Sequence, residues 1–177
     1  MALEGLKECT RCKISSTRKK VVEPSWKLMG DTTSGMIITD MPTKREDLTG
    51  EFSDTYWKLV DSVLKDFNKS LPYYHVTSVI RCCPETNRYP SEEEIKNCMS
   101  WLLQEITMFK PKAVIFFGEQ CAKQFIKVDK SLINCVFETR MSPRTLVTYN
   151  PKALRRNTDN FISFKSAIRQ FIRYSLV

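Results

Sequence analysis

Four short runs of apolar and β-branched residues, at 36–39, 73–80, 113–117 and 145–149, are separated from one another by segments with helical periodicity. This alternation constrains the fold more than any other feature. The first run, Met36-Ile-Ile-Thr39, sits between Gly35 and Pro42 without polar alternation, the pattern of a strand covered on both faces. Between the first two runs, Tyr56, Leu59, Val60, Val63, Leu64 and Phe67 recur at three and four, so residues 52–67 are predicted to form an amphipathic helix, with Ser53 or Asp54 as its cap. Ser91-Glu-Glu-Glu94 is a capping-box signature, and Ile95, Met99, Leu102, Leu103, Ile106 and Phe109 continue from it as a second helix. Gly118 closes the third run before a short predicted helix at 119–127. Phe161, Phe164, Ile168, Phe171 and Ile172 mark a C-terminal helix whose other face carries Lys165, Arg169 and Arg173. Alternation of this kind implies parallel strands joined by right-handed crossovers. The expected class is therefore α/β, a three-layer α/β/α sandwich with a short central, mainly parallel four-stranded sheet. Functional loops then belong at the carboxyl ends of the strands, after Thr39, Ile80, Phe117 and Tyr149.

The length, 177 residues, suits one domain over 1–177 with enough core to stand without staples. Residues 1–34 read as an irregular N-terminal lobe, with Cys9-Thr-Arg-Cys12, the basic run Arg18-Lys19-Lys20 and a polar, turn-rich stretch at 31–35. No stretch approaches eighteen apolar residues and the N-terminus lacks an export pattern, so an intracellular, cytoplasmic location is expected. A net charge of +8 and a pI near 9.2 attract polyanions, which makes nucleic acid the first candidate partner. A basic protein that is merely soluble accounts for the charge equally well. The basic residues are dispersed along the chain, which disfavours a membrane surface.

Seven cysteines in a chain without an export pattern point away from a disulfide framework and toward metal ligation or buried thiols. Cys9 and Cys12 form a C-x-x-C pair, and Cys82 and Cys98 lie sixteen residues apart across a loop and the start of a helix. Together they make a four-thiolate set that suits either structural zinc or a [4Fe-4S] cluster. On spacing alone, Cys82 and Cys98 are also readable as buried apolar residues. Cys83, Cys121 and Cys135 are expected in the core. The single histidine, His75, lies mid-strand among apolar neighbours and is expected to be structural, which argues against histidine-based catalysis.

Taken together, these segments resemble the family 4 uracil-DNA glycosylases, the iron–sulfur branch of that superfamily. Cys9-Thr-Arg-Cys12 with Arg18 is similar to the family's opening C-x-x-C-x-L-x-x-x-R. Arg81-Cys82-Cys83-Pro84-x-x-Asn87-Arg88-x-Pro90, followed by Glu94-Ile95-x-x-Cys98, is similar to its second cysteine segment. The stretch 110–118 resembles the family's third strand, and Tyr149-Asn150-Pro151 stands where the family has a His-Pro-Ser loop leading to an Arg. The resemblance implies a [4Fe-4S] cluster on Cys9, Cys12, Cys82 and Cys98, with zinc as the alternative. It implies DNA, single- or double-stranded, as partner, and removal of a base flipped from the strand into a pocket. A replication or repair protein is a further possible partner, and the compact chain with a reworked pocket is compatible with a virus-encoded protein.

The pocket positions depart from the family pattern. The family's Gly-Glu-Ala-Pro-Gly loop is here Thr39-Asp40-Met41-Pro42-Thr43, so Asp40 replaces the catalytic Glu and both glycines are gone. Loss of the glycines is expected to narrow or reshape the pocket. Glu46 and Phe52 match the next acidic residue and the stacking aromatic. Ser78 stands for the base-reading Asn, and a hydroxyl offers one contact where an amide offers two. Asn150 stands for the His; its amide can donate to a leaving base but carries no charge. The resemblance thus implies Asp40 and Asn150 as catalytic residues, and Met41, Glu46, Phe52 and Ser78 as substrate contacts. Glu46 also reads as a solvated or capping acid. Lys152, Arg155 and Arg156 are expected to bind the DNA backbone. Two functions are compatible with this pattern: a glycosylase hydrolysing the N-glycosidic bond of a deaminated or modified pyrimidine, or a catalytically weak or inactive DNA-binding accessory module.

Overall fold

A computed structural model of the chain describes residues 3–25, 35–69, 74–127, 130–139, 142, 144–154 and 157–175. Arg155, Arg156, Tyr73 and the turn-rich stretch before Gly35 lie outside the described residues.

The elements run β1 (Gly35–Thr39), α1 (Lys44–Thr49), α2 (Tyr56–Lys65), β2 (Tyr74–Ser78), α3 (Glu92–Phe109), β3 (Ala113–Phe117), α4 (Glu119–Ala122), β4 (Cys135–Phe137), β5 (Arg144–Thr148) and α5 (Thr158–Ser175). The sheet has five strands in the order β2-β1-β3-β5-β4. The first four of these are mutually parallel and β4 runs antiparallel to β5. The expected four-strand sheet is corrected by β4. Its three residues are only partly covered, so no alternating or continuous apolar run announces it.

Strand alternation sorts the core into two layers. Met36, Ile38, Val114, Phe116 and Val147 pack with Ile95, Trp101, Leu102 and Ile106 of α3 and with Leu3, Leu6 and Ile14 of the N-terminal lobe. Ile37, Ile115, Phe117 and Leu146 face the other way, onto Tyr56, Trp57, Val60 and Leu64 of α2 and Phe164, Ile168 and Phe171 of α5. This is the expected three-layer sandwich. The chain leaves β1 to one side to form β2, then crosses to the other side to form β3, so the topological switch lies at the carboxyl end of β1.

Two helices differ from expectation. The helix foreseen at 52–67 begins at Tyr56, with Thr55 as N-cap and no side-chain cap. Asp54 instead accepts from the Thr55 amide at 2.5 Å. The helix foreseen at 119–127 ends at Ala122. The α3 capping box forms as read: Ser91 accepts from Glu94 N, and the Glu94 carboxylate accepts from Ser91 N at 2.8 Å.

A buried polar cluster joins β2 to α3. Glu105, with no solvent exposure, accepts from the Arg81 guanidinium and pairs with His75 Nε2 at 2.8 Å, while Arg81 also donates to Thr77 Oγ1. His75 stacks on Phe109 at 4.8 Å, so the structural role expected for it agrees with its surroundings. Burial, reinforced by the Arg81 cation and opposed by the Ser25 backbone, pushes the His75 pKa down to about 4. An unfolded histidine titrates near 6.5, so below that pH the unfolded chain takes up a proton that the native chain refuses. Stability is therefore fully present above about pH 6.5 and is expected to decline as pH falls toward 4. Melting temperatures measured across that window should fall for the unaltered protein and fall less for His75→Gln.

The sheet edges are also set locally. Beside β2, Ser25 N donates to Val76 O and Ser25 Oγ accepts from Val76 N, each at 2.9 Å. Gly35, at the start of β1, leaves room for the Tyr74 ring, since a Cβ there would meet it at 2.5 Å.

Candidate active-site cleft and cysteine centre

A cleft of about 410 Å³ opens at the carboxyl end of β1, lined by Asp40, Met41, Thr43, Lys44, Arg45, Asp54, Thr55, Tyr56, Asn87 and Lys152. Its position follows from the switch in strand order. Asp40 is the first residue past β1. Its Oδ1 accepts from Met41 N at 2.7 Å, Lys152 Nζ at 2.9 Å and Thr39 Oγ1 at 3.1 Å. Among the described residues, its Oδ2 accepts none.

Asn150 follows β5. Its Oδ1 accepts from Lys152 N at 3.0 Å, which orients the amide so that Nδ2 is left as the free-standing donor. Gly118, after β3, lies against it: a Cβ there would sit 3.6 Å from Asn150 Cβ, and the backbone φ of +106° is one that side chains disfavour. Asp40 and Asn150 are thus carried past the ends of β1 and β5, the two strands that flank β3, with Asn150 outside the cleft lining, and Lys152 bridges them, through its backbone to Asn150 and through its ammonium to Asp40.

The other expected contacts fall differently. Met41 lines the cleft. Glu46 caps α1, as one reading allowed, but it is fully buried rather than solvated. One of its oxygens accepts from Thr43 N at 2.8 Å; the other accepts from Tyr56 OH at 3.1 Å and Trp57 Nε1 at 2.6 Å. It therefore fixes Tyr56, which lines the cleft, and burial with this carboxylate raises the Tyr56 phenol well above its usual range. Phe52 is half-buried and meets Trp57 edge-on at 5.7 Å, outside the cleft lining. The Ser78 hydroxyl is buried and donates to Ile80 O at 2.6 Å. Lys152, expected on the DNA backbone, lines the cleft, with its side chain 22% exposed.

Lys44 and Arg45, the first residues of α1, were not singled out from sequence. The signal was present: Thr43-Lys-Arg-Glu46 has capping-box spacing, and both halves of the box form.

The cysteine set lies in the core layer shared by α3 and the N-terminal lobe. Cys9, Cys12, Cys82 and Cys98 line one narrow cavity together with Leu6, Val21, Asn97 and Trp101. Cys9 and Cys12 come from the N-terminal lobe, Cys82 from the turn after β2, and Cys98 from the early part of α3. Trp101 Nε1 donates to Cys9 Sγ at 3.4 Å, and Arg18 reaches both Cys9 O at 2.7 Å and Cys82 Sγ at 3.7 Å. Burial pushes the Cys82 thiol up to about 12, opposed by Arg18. Burial also raises Cys98, opposed by Arg81. Arg81 Nε is buried without a hydrogen-bond partner among the described residues. Among the described residues, no three of His, Cys, Asp and Glu are grouped to hold a metal ion. Of the remaining thiols, Cys83 and Cys121 are buried as foreseen, whereas Cys135 is only half-buried because it lies on the edge strand β4.

The model of the Uracil DNA glycosylase superfamily matches residues 27–173. The chain is 29% identical to the Type-4 uracil-DNA glycosylase of Pyrobaculum aerophilum over 71% of this chain and 63% of that protein. It is 26% identical to the Type-4 uracil-DNA glycosylase of Thermotoga maritima over 89% of this chain and 83% of that protein. A third relative, the Type-4 uracil-DNA glycosylase of Archaeoglobus fulgidus, is 27% identical over 67% of this chain and 58% of its own length. The chain thus spans less than two thirds of the Pyrobaculum and Archaeoglobus relatives and most of the Thermotoga one. No described helix is long and apolar enough to cross a membrane. With the family match covering nearly the whole sheet and both sides of the cleft, the chain belongs to the uracil-DNA glycosylase superfamily.

Proposed function

We propose that the chain is a DNA glycosylase that hydrolyses the N-glycosidic bond of a deaminated or modified pyrimidine flipped out of DNA into the 410 Å³ cleft. The observation that carries this is the placement of Asp40: a carboxylate at the strand-end switch, tied by three donors at Oδ1, with Asn150 at the same end of the sheet. Such chemistry needs a group to hold water beside the sugar and a donor for the departing base. Asp40 Oδ2 serves the first need and Asn150 Nδ2 the second. The C1′–N bond breaks with its electron pair leaving on the base. Water bonds to C1′ through oxygen, and its proton passes to the Asp40 carboxylate. Lys44, Arg45 and the general excess of positive charge draw the phosphodiester to the cleft.

The same reading assigns Cys9, Cys12, Cys82 and Cys98 to a [4Fe-4S] cluster. The fit rests on four soft donors around one cavity, with Arg18 and the buried, incompletely bonded Arg81 beside them as counter-charge. When bound, the cluster supplies a cross-link between the N-terminal lobe and α3, and no step of the hydrolysis passes through it.

The test is an excision assay on single- and double-stranded oligonucleotides containing uracil, hydroxymethyluracil or hypoxanthine, with alkali cleavage of the abasic product. Excision of a modified pyrimidine is expected, with Asp40→Ala and Asn150→Ala each reducing the rate by about 10²–10⁴-fold. Salt-sensitive DNA binding without excision of any base would replace this reading with that of a DNA-binding accessory module.

A further inference from the structure

Lys152 occupies a place that a phosphate-gripping lysine would not. Its ammonium donates to Asp40 Oδ1 at 2.9 Å and to Met41 O, and lies 5.7 Å from the centre of the Tyr56 ring. Its backbone N–H donates to Asn150 Oδ1 at 3.0 Å. Both ion-pair side chains are largely covered, 22% exposed for Lys152 and 18% for Asp40. One residue therefore fixes both groups to which the hydrolysis is assigned, from opposite ends of the same side chain and peptide.

We infer that Lys152 is a positioning residue for base excision: it holds Asp40 by Oδ1, so that Oδ2 is the oxygen presented to water, and it locks the Asn150 amide with its donor free. The inference rests on the glycosylase reading above and deepens it. Of the three donors on this oxygen, Thr39 Oγ1 and Met41 N come from the residues on either side of Asp40, so Lys152 is the one that ties the carboxylate to the far side of the cleft. Met41 O and the Tyr56 ring keep that ammonium in place, and Glu46 in turn keeps Tyr56 in place. The other charged or titratable groups near Asp40 are Asp54, Lys44 and Arg45 in the cleft lining, with Tyr56, Tyr89 and Cys121 within electrostatic range. Only Lys152 makes an ion pair with it among the described residues.

The experiment compares Lys152→Met, Lys152→Gln and Lys152→Arg with the unaltered full chain, on the oligonucleotide that the latter excises fastest. Single-turnover rates at saturating protein should fall about 10–100-fold in Lys152→Met and Lys152→Gln, the scale expected for a misplaced reacting group, with much of the rate kept in Lys152→Arg. DNA affinity followed between about 50 and 200 mM salt should keep the same slope in all four proteins. If Lys152 gripped phosphate, the slope would drop by about one and the rate at saturation would stand, which overturns the inference. A full rate in Lys152→Met with normal melting overturns it as well. An unaltered protein that excises no base overturns the glycosylase reading itself, a result distinguishable from both. Should Lys152→Met fail to fold, Lys152→Gln and Lys152→Arg carry the comparison.

Discussion

Replacing Cys98 with alanine is expected to leave the purified protein without iron and without the visible absorbance of an iron–sulfur centre. Cys98 lies early in α3, and its thiol is the one sulfur that this helix gives to the cavity it shares with Cys9, Cys12 and Cys82. A [4Fe-4S] cluster, if held there, would lose one of its four thiolates in a site otherwise lined by Leu6, Val21 and Trp101. Cys82→Ala should behave in the same way. Cys121→Ala is the control: that thiol is fully buried and directed at Ile38 O, on the far part of the same core layer, and its loss should leave the iron content intact. Iron and sulfide analysis alongside the spectrum decides the matter, and stoichiometric zinc without iron in the unaltered protein would overturn the cluster.

Glu105→Ala is expected to cost about 3–5 kcal/mol of folding stability, the range for removing one partner of a buried ion pair. Glu105 is fully buried and is the acceptor for both Arg81 and His75. Without it the Arg81 guanidinium, already lowered in pKa to about 10 by burial, keeps its charge with only Thr77 Oγ1 as a hydrogen-bonded side-chain partner among the described residues. A domain of this size has a total stability of about 5–15 kcal/mol, so such a loss would be visible as a large shift of the urea midpoint. The exposed pair Lys165–Asp66 offers the contrast, because Lys165→Ala should move the midpoint very little.

The parallel core of the sheet was legible because β1, β2, β3 and β5 are short runs rich in β-branched and aromatic residues and are covered on both faces, and the switch point followed from their alternation with helices. β4 escaped because Cys135, Val136 and Phe137 form a short edge strand with neither a buried run nor alternation. α1 escaped because Lys44–Thr49 has no apolar stripe; its ends are set by a capping box and by Gly50 in the left-handed region. In the site, Asp40 and Asn150 were proposed through the family resemblance of the loops after β1 and β5, and both lie at the carboxyl end of the sheet. The destination of Lys152 could not be named, since its partner Asp40 is 112 residues away in sequence and a long flexible side chain records nothing of where it ends. Glu46 was readable as a substrate contact or as a solvated or capping acid, and its bonds to Tyr56 and Trp57 depend on how α2 docks, which spacing does not encode.

The two borders of the sheet have a bearing on how the chain behaves at high concentration. An uncovered strand border is a template on which a second molecule can continue the ladder, the usual first step toward fibrils. Beside β2, Ser25 takes up both the donor and the acceptor of Val76 in the middle of the strand. On the other side, β4 offers only three residues and runs against the direction of its neighbours. Among the described residues, neither border presents the long, flat row of unpaired amides that intermolecular growth requires, so the ladder is expected to end at both borders of this one sheet.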